Sequence, residues 1–200
     1  MNYNSDWGGK NYLRSRLLGI GSPSLIIHVP VCLEKEVFLL FKYPIDKTKK
    51  FITIATTRPE TMLGDTAVAV NPNDKRYKNL VGKNVLLPLV GKKIKIISDK
   101  YADPEQGTGA VKITPAHDFN DYEVGVRNKL EILNVFTEDG KINENAPKKY
   151  IGLDRFVARK KILEDLSNKK LLAKEENIKN KIPYGDRSNS VIDPFLTEQW

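Results

Sequence analysis

Between Gly107 and Tyr122 the chain brings together Lys112, Thr114, His117, Asp118 and Asp121. A lysine supplies positive charge and three donors, a threonine hydroxyl both donates and accepts, and a carboxylate accepts only. Asp118 and Asp121 are three apart, so on a helix both carboxylates lie on one side of the first turn. A strand-to-helix corner that carries paired carboxylates, with Lys112 and Thr114 leading into it, reads as a polar pocket. The same pair would serve equally to cap a helix and answer its dipole, and spacing leaves both readings open. His117 is read first as a structural hydrogen-bonder that fixes the Asp118 corner, ahead of any catalytic use. A second polar corner, Thr57-Arg-Pro-Glu-Thr61, carries Arg58 and Thr61. No Ser-His-Asp set and no cluster of metal ligands stands out, so no metal is assigned.

These side chains need rigid elements behind them. Residues 109–114 alternate as a strand, Pro115 stops it, and Asp118 opens a helix that Glu123, Val124 and Arg127 continue at helical spacing. Residues 51–56 form another alternating strand, running into Thr57 with Glu60 three later, a capping-box pattern in which Pro59 is tolerated. Further strands are expected over 25–29, 37–43, 66–70, 85–89, 93–97 and 132–135. Glu34-Lys-Glu36 reads as a turn between the first two, and Val90-Gly91 as a hairpin turn. His28, inside the first strand, reads as structural. A short helix is expected over 12–18, a helical turn carrying Tyr77 over 74–80, and a loop over 103–109 whose glycines permit close backbone approach.

Asp154 caps the clearest helix, with Phe156, Ile162, Leu163 and Leu166 as an apolar stripe and Arg159, Lys160, Lys161 and Lys169 facing out. Beyond Lys174 periodicity is lost, and Ile182-Pro183 and Asp193-Pro194 break the tail. Many short strands and few helices predict an α+β fold, mainly a β-barrel with a few peripheral helices. Regular β-α alternation, a glycine-rich nucleotide fingerprint and internal repeats are all missing.

Two hundred residues suffice for one good-sized core. Apolar content of 40% and charged content of 29% are those of a globular chain. A net charge of +8 makes a polyanion partner plausible, although the lysine runs are short and interrupted. The single Cys32 excludes an internal disulfide and a cysteine zinc site, and fits a reducing, cytoplasmic setting. No apolar run approaches the ~20 residues of a membrane span. Met1 is followed by polar residues, unlike a secretory signal.

The strings Ala55-Thr-Thr-Arg-Pro-Glu-Thr-Met-Leu-Gly-Asp-Thr-Ala-Val-Ala-Val70 and Gly107-Thr-Gly-Ala-Val-Lys-Ile-Thr-Pro-Ala-His-Asp-Phe-Asn-Asp-Tyr-Glu-Val-Gly125 resemble the editing domain of class I aminoacyl-tRNA synthetases. That domain is inserted into the catalytic core of the valyl, isoleucyl and leucyl enzymes, and the wording here is most similar to the valyl type. The resemblance continues through Thr137-Glu-Asp-Gly140, Asn143-Glu-Asn-Ala146 and Gly152-Leu-Asp-Arg-Phe156, and runs from about Phe41 to Trp200. It implies an editing core over 41–175, an N-terminal segment 1–40 of the same domain, and a connection 176–200 toward the synthetase core. The ATP-binding motifs of the parent enzymes are lacking, so the chain resembles an excised editing domain with Trp200 as a cut end. Two departures stand out: Tyr184-Gly-Asp-Arg187 replaces the Cys-x-x-Cys of many relatives, and Gln106 stands where many have an aromatic residue.

What the resemblance implies chemically is hydrolysis of threonyl-tRNA mischarged on the valine tRNA. The partners would be the 3′ end of that tRNA, a threonyl ester or threonyl-adenylate, and the rest of the synthetase. No cofactor is implied for this domain; the whole enzyme would use ATP and magnesium. A pocket built for valine separates it from threonine by only about 10²-fold, a figure established for this enzyme family. A second, hydrolytic sieve must then accept the hydroxyl. By resemblance Asp121 accepts it and Asp118 holds the α-ammonium. Arg58, Thr57, Thr61, Lys112, Thr114 and His117 line the site around ester, terminal adenosine and water, with Lys112, Thr114 and Asp118 nearest the chemistry. An isoleucyl-type editor and a non-catalytic tRNA-binding module are the alternatives.

Overall fold

Alternation turns Leu39, Phe41 and Tyr43 of one strand toward Ile52, Ile54 and Thr56 of the next, and all six are buried. The computed structural model describes residues 15–16, 26–27, 31–185 and 191–194. Its strands are β1 (Ser15–Arg16), β2 (Ile26–Ile27), β3 (Val31–Pro44), β4 (Phe51–Thr56), β5 (Ala67–Val70), β6 (Asn84–Leu86), β7 (Lys93–Ser98), β8 (Ala110–Ile113) and β9 (Leu172–Pro183). The helices are α1 (Phe119–Arg127) and α2 (Arg155–Asn168), with a 3₁₀ turn at Pro59–Gly64. Val37–Glu176 forms one compact unit, which holds every candidate site residue; Met1–Glu36 with Asn177–Trp200 forms the other. Among the described residues no helix is long and apolar enough to cross a membrane.

In β3 and β4 the antiparallel register sets Phe41 opposite Ile54 and Tyr43 opposite Ile52, so one face of the pair is continuously apolar. A second sheet has the order β6-β7-β5-β8. Its central strand β5 is buried on both faces. Val68 and Val70 face the main core with Phe41, Tyr43 and Ile54. Ala67 and Ala69 face a smaller cluster with Ile113 of β8 and Val124 of α1. Register then decides where Lys112 goes. It lies opposite Val68, hence on the main-core face, and Thr114 two residues on continues that face. A lysine is thus driven into an apolar interior, where it must find partners.

The fold is α+β with few helices, as expected. The ladders, however, form two open sheets of orders β4-β3-β9 and β6-β7-β5-β8, with no closed barrel among the described residues. The two sheets approach at both margins. Ile45, just after β3, bridges Val85 of β6, and the edge strands β4 and β8 lie side by side.

Several local expectations give way to tertiary pairing. Glu34-Lys-Glu36 is no turn but part of the long β3, and Glu36 accepts a hydrogen bond from Asn180 of β9 at 2.7 Å. Of the tail where periodicity is lost, residues 175–183 belong to strand β9 (Leu172–Pro183). Residues 132–135 form no strand. In place of a ladder, the Asn134 carbonyl accepts from Asn143 Nδ2 and Asn145 Nδ2 at 3.0 and 2.8 Å, and the Val135 carbonyl accepts from the Asn143 amide at 2.9 Å. Ser15 and Arg16, expected in a short helix, pair with Ile27 and Ile26. The remainder of that helix and His28 lie outside the described residues.

Asp154 does cap α2, accepting from the amides of Phe156 and Val157. The buried stripe of α2 is Ala158, Ile162 and Leu166. Phe156 is exposed, with the guanidinium carbons of Arg155 and Arg159 at 4.8 and 5.6 Å from its ring centroid. Arg159 turns inward rather than out, because Glu60 is buried and needs a partner: two hydrogen bonds of 2.8 and 2.7 Å join them. Glu60 is therefore not the second half of a capping box. The 3₁₀ turn has Arg58 at its N-cap with no side-chain cap, and Pro59 opens it.

Candidate active site

Three of the polar residues singled out in the sequence meet around one ammonium group. Lys112 Nζ donates to Thr61 Oγ1 at 3.0 Å, to Asp65 Oδ1 at 3.2 Å, and to Thr114 Oγ1. A lysine has three donors, and all three are used. Thr114 Oγ1 in turn donates to Asp65 Oδ1 at 2.6 Å, and Tyr43 Oη donates to Asp65 Oδ2 at 2.7 Å. Thr61 passes its own hydrogen to the carbonyl of Arg58 at 2.9 Å. Every hydroxyl in this set thus has a defined direction, and each contact is consistent with the next.

Asp65 is the residue that sequence reasoning missed. It is completely buried, at 0% exposure. Burial pushes its carboxyl up, while Lys112, Thr114 and Tyr43 pull against that. Accepting from three donors at once, one of them an ammonium, favours the ionised form against that burial. Burial and the Asp65 charge together hold Tyr43 well above the ordinary phenol range. The signal was present in the sequence: an acid directly ahead of the wholly apolar run Ala67–Val70, and a tyrosine on the inward face of β3.

Asp118 and Asp121 are engaged differently. Asp118 is the N-cap of α1, its Oδ1 accepting from the amides of Asn120 and Asp121 at 2.8 and 3.1 Å. Asp121 does not cap. Its Oδ2 accepts from the Thr114 amide at 2.8 Å, tying the first turn of α1 to the residue after β8, where ladder pairing has ended. Burial, and then the charge of Asp118, push Asp121 up to about 7. Tyr101 stands close to both carboxylates; burial, then Asp121 and Asp118, raise its phenol.

His117 is buried, and its Nε2 accepts from the Val135 amide at 3.0 Å. That contact assigns the ring proton to Nδ1, which is buried without a hydrogen-bond partner. The ring packs on Phe136 with centroids 4.6 Å apart. Burial, with Arg58 and Lys112 nearby, depresses its pKa to about 3, so it is neutral near pH 7 with its acceptor nitrogen already engaged. What His117 offers the site is its carbonyl, which accepts from Arg58 Nη1 at 3.1 Å. Arg58 Nε also lies 3.9 Å from Glu60. Thr57, between buried Thr56 and Arg58, is partly buried. Gln106 is exposed in the loop before β8.

Glycines fix two of the close approaches. A Cβ on Gly125 would stand 2.8 Å from the Pro115 ring, so glycine lets α1 pack against the corner. Gly109, at φ +75°, would place a Cβ 2.4 Å from Arg76 Nη2. That guanidinium binds Asp74 and the Pro104 carbonyl at 2.6 and 2.9 Å, holding the loop that leads into β8.

The family model described as "Leucyl-tRNA synthetase, editing domain" matches residues 79–180. The valine–tRNA ligase of Pelagibacter ubique is 75% identical over 159 residues, 80% of this chain and 18% of the relative. That of Caulobacter vibrioides is 57% identical over 154 residues, 77% of this chain and 17% of the relative. That of Petrotoga mobilis is 53% identical over 167 residues, 84% and 19% respectively. The chain thus spans about a fifth of the length of the curated relatives it matches. Among solved structures, agnB2 LeuRS of Agrobacterium radiobacter K84, in a ternary complex with tRNA and LeuAMS, superposes with a TM-score of 0.58 at 19% identity. That match covers 74% of this chain and 20% of the other, and concerns the fold.

Proposed function

The chain belongs to the family of class I aminoacyl-tRNA synthetase editing domains and is most like the valyl type, and from that premise we propose that it hydrolyses the threonyl ester mischarged on the valine tRNA. The observation that carries this reading is Asp121: a nearly buried carboxylate beside Asp118, with one oxygen held by the Thr114 amide. A carboxylate so placed gains from a threonine hydroxyl, whereas valine would leave it desolvated and unpaired. Asp118 holds the α-ammonium of the ester. Arg58, Thr57 and Thr61 line the approach to the terminal adenosine, and His117 serves through the carbonyl that orients Arg58.

In the reaction a water oxygen bonds to the ester carbonyl carbon and the bond to the ribose oxygen breaks. The water proton ends on that ribose oxygen. Lys112 supplies positive potential for the developing oxyanion in a setting of low dielectric. Thr114, with one lone pair taken by Lys112, keeps a second for the water. An aminoacyl ester is already reactive, so orienting the water and stabilising charge suffice, and no side-chain base is invoked. The editing core is residues 41–175, with 1–40 in the same domain and 176–200 leading toward the rest of a synthetase. The two sheets, bridged at Ile45 and Val85, are then the arcs of the family's barrel. The tRNA 3′ end and a cytoplasmic setting belong to the same proposal.

The test is a deacylation assay with threonyl-tRNA and valyl-tRNA side by side. Faster release of threonine is expected. Equal rates would remove the valyl assignment, and no release of either amino acid would favour a binding module without turnover.

A further inference from the structure

We propose that Asp65 is a positioning residue of the editing site, holding the Lys112 ammonium and the Thr114 hydroxyl in their working arrangement. This rests on the deacylase reading given above. A wholly buried carboxylate in a mainly apolar core is unfavourable unless it is hydrogen-bonded and paired, and Asp65 is both, three times over. Its Oδ1 receives Thr114 and Lys112, and its Oδ2 receives Tyr43. A need for stability alone would be met as well by apolar side chains of similar volume. What apolar side chains could not do is fix direction. Because Thr114 gives its only hydrogen to Asp65, its lone pairs face Lys112 and any water. Asp65 also sets a carboxylate oxygen 3.2 Å from the ammonium of Lys112, whose side chain is only 10% exposed.

The other titratable groups that feel this ammonium are Asp121 from α1 and His117 from the turn before α1. Asp65 is the carboxylate that Lys112 Nζ touches directly, and so its principal counter-charge. It reaches the site from neither of the two polar corners that carry the other residues. It stands at the exit of the 3₁₀ turn, where its own amide bonds back to the Met62 carbonyl at 3.1 Å. That contact fixes its place independently of any ligand.

The experiment compares Asp65→Asn, which keeps the shape and removes the charge, with the unaltered 200-residue chain. Single-turnover deacylation of threonyl-tRNA should slow on the order of tenfold or more, with KM little changed. A readout independent of activity, which a purely structural role would not move, is hydrogen exchange at the Lys112 ammonium, followed through its 15Nζ resonance. It should quicken on the order of tenfold when the carboxylate is lost. If Asp65→Asn does not fold, Tyr43→Phe takes its place: it removes one donor to Oδ2 and should shift the same readouts in the same direction by less. A folded variant with rate and exchange both unchanged overturns the proposal. Should the unaltered chain fail to release threonine while the exchange result holds, the deacylase reading falls and the positioning of Lys112 by Asp65 stands.

Discussion

At the scale of single residues, the two aspartates of α1 make separable contributions. If Asp121 reads the threonine hydroxyl, Asp121→Ala loses a hydrogen bond to a charged group, worth about 1.5–3 kcal/mol, and so roughly tenfold or more in discrimination. Valyl-tRNA should lose relatively little of its already low rate. Asp118→Ala removes the anchor for an ammonium that every aminoacyl ester carries, so both substrates should slow together. It also removes the helix cap, so folding must be checked by circular dichroism. Equal slowing of both substrates by Asp121→Ala would end the assignment of hydroxyl recognition.

Asp121 also has a signature in stability. Its carboxyl is raised from the ordinary value of 3.8 to about 7. Between those values the folded chain holds a proton that the unfolded chain has released, so this group's stabilisation is lost as pH rises through the window. His117 acts in the opposite sense below its unfolded value of 6.5, because its folded value is depressed to about 3. Comparing Asp121→Asn with the unaltered chain cancels the histidine. The variant should gain relative stability by up to roughly 1.4 kcal/mol per pH unit between about pH 4 and 7. Urea unfolding at several pH values checks this, and a difference independent of pH would show that Asp121 is not held up by its surroundings. An acid strained in this way without substrate is the pattern expected where function, not stability, sets the residue.

At the scale of elements, the site is held by ties between segments far apart in sequence. The clearest is the double hydrogen bond from Arg159 on α2 to Glu60 in the 3₁₀ turn, 99 residues away. Glu60 is 1% exposed. Removing one member of such a pair leaves a buried charge with too few partners, at a cost of about 3–5 kcal/mol. Arg159→Ala should therefore lower the urea midpoint strongly. Replacing both residues by methionine should recover most of the loss, since a buried pair exchanged for apolar volume is often neutral. A double variant no more stable than Arg159→Ala would contradict this account.

The elements also show what could be read in advance. The strand-to-helix corner at Asp118, the strand before Thr57, the hairpin of β6 and β7 and the helix capped by Asp154 were legible, because each is set by local periodicity and capping. Lys112, Thr114 and Thr61 could be named from their motifs, and the structure brings them to one point. The convergence itself was not legible: it depends on the β5–β8 register that sends Lys112 inward beside Val68. Asp65, Tyr43 and the inward turn of Arg159 were missed for the same reason, since each answers a partner 22 to 99 residues away. Strand β3 ran longer than expected, and β9 was not expected at all, because ladder pairing outweighed the weak propensity of Glu-Lys-Glu and Lys-Glu-Glu-Asn.

At the scale of the whole molecule, the excess of positive charge has to be set against the pairing seen on the surface. The chain carries +8, yet many cations already have carboxylate partners: Lys92 with Glu131, Lys93 with Asp46, Lys141 with Asp139, Lys149 with Asp165. A polyanion would thus be drawn less by the sum than by the place where cations crowd together. That place is the junction of α2 with the 3₁₀ turn. Burial first, and then the charge of Arg58, push the Arg155 guanidinium down, with Arg159 adding to the effect. Guanidinium groups kept this close to one another suit the phosphates next to a tRNA terminus. Two consequences follow for binding. Affinity for tRNA should fall steeply with salt, with a log–log slope of about −3 if roughly four phosphates are contacted by a single strand. Arg155→Ala should then weaken binding and lower that slope by about one. Lys92→Ala, at the β6–β7 connection and already paired with Glu131, should change neither. Filter binding between about 50 and 200 mM salt separates these outcomes. A slope that Arg155→Ala leaves intact while Lys92→Ala reduces it would move the tRNA contact away from α2, and with it the expected path of the 3′ end into the site.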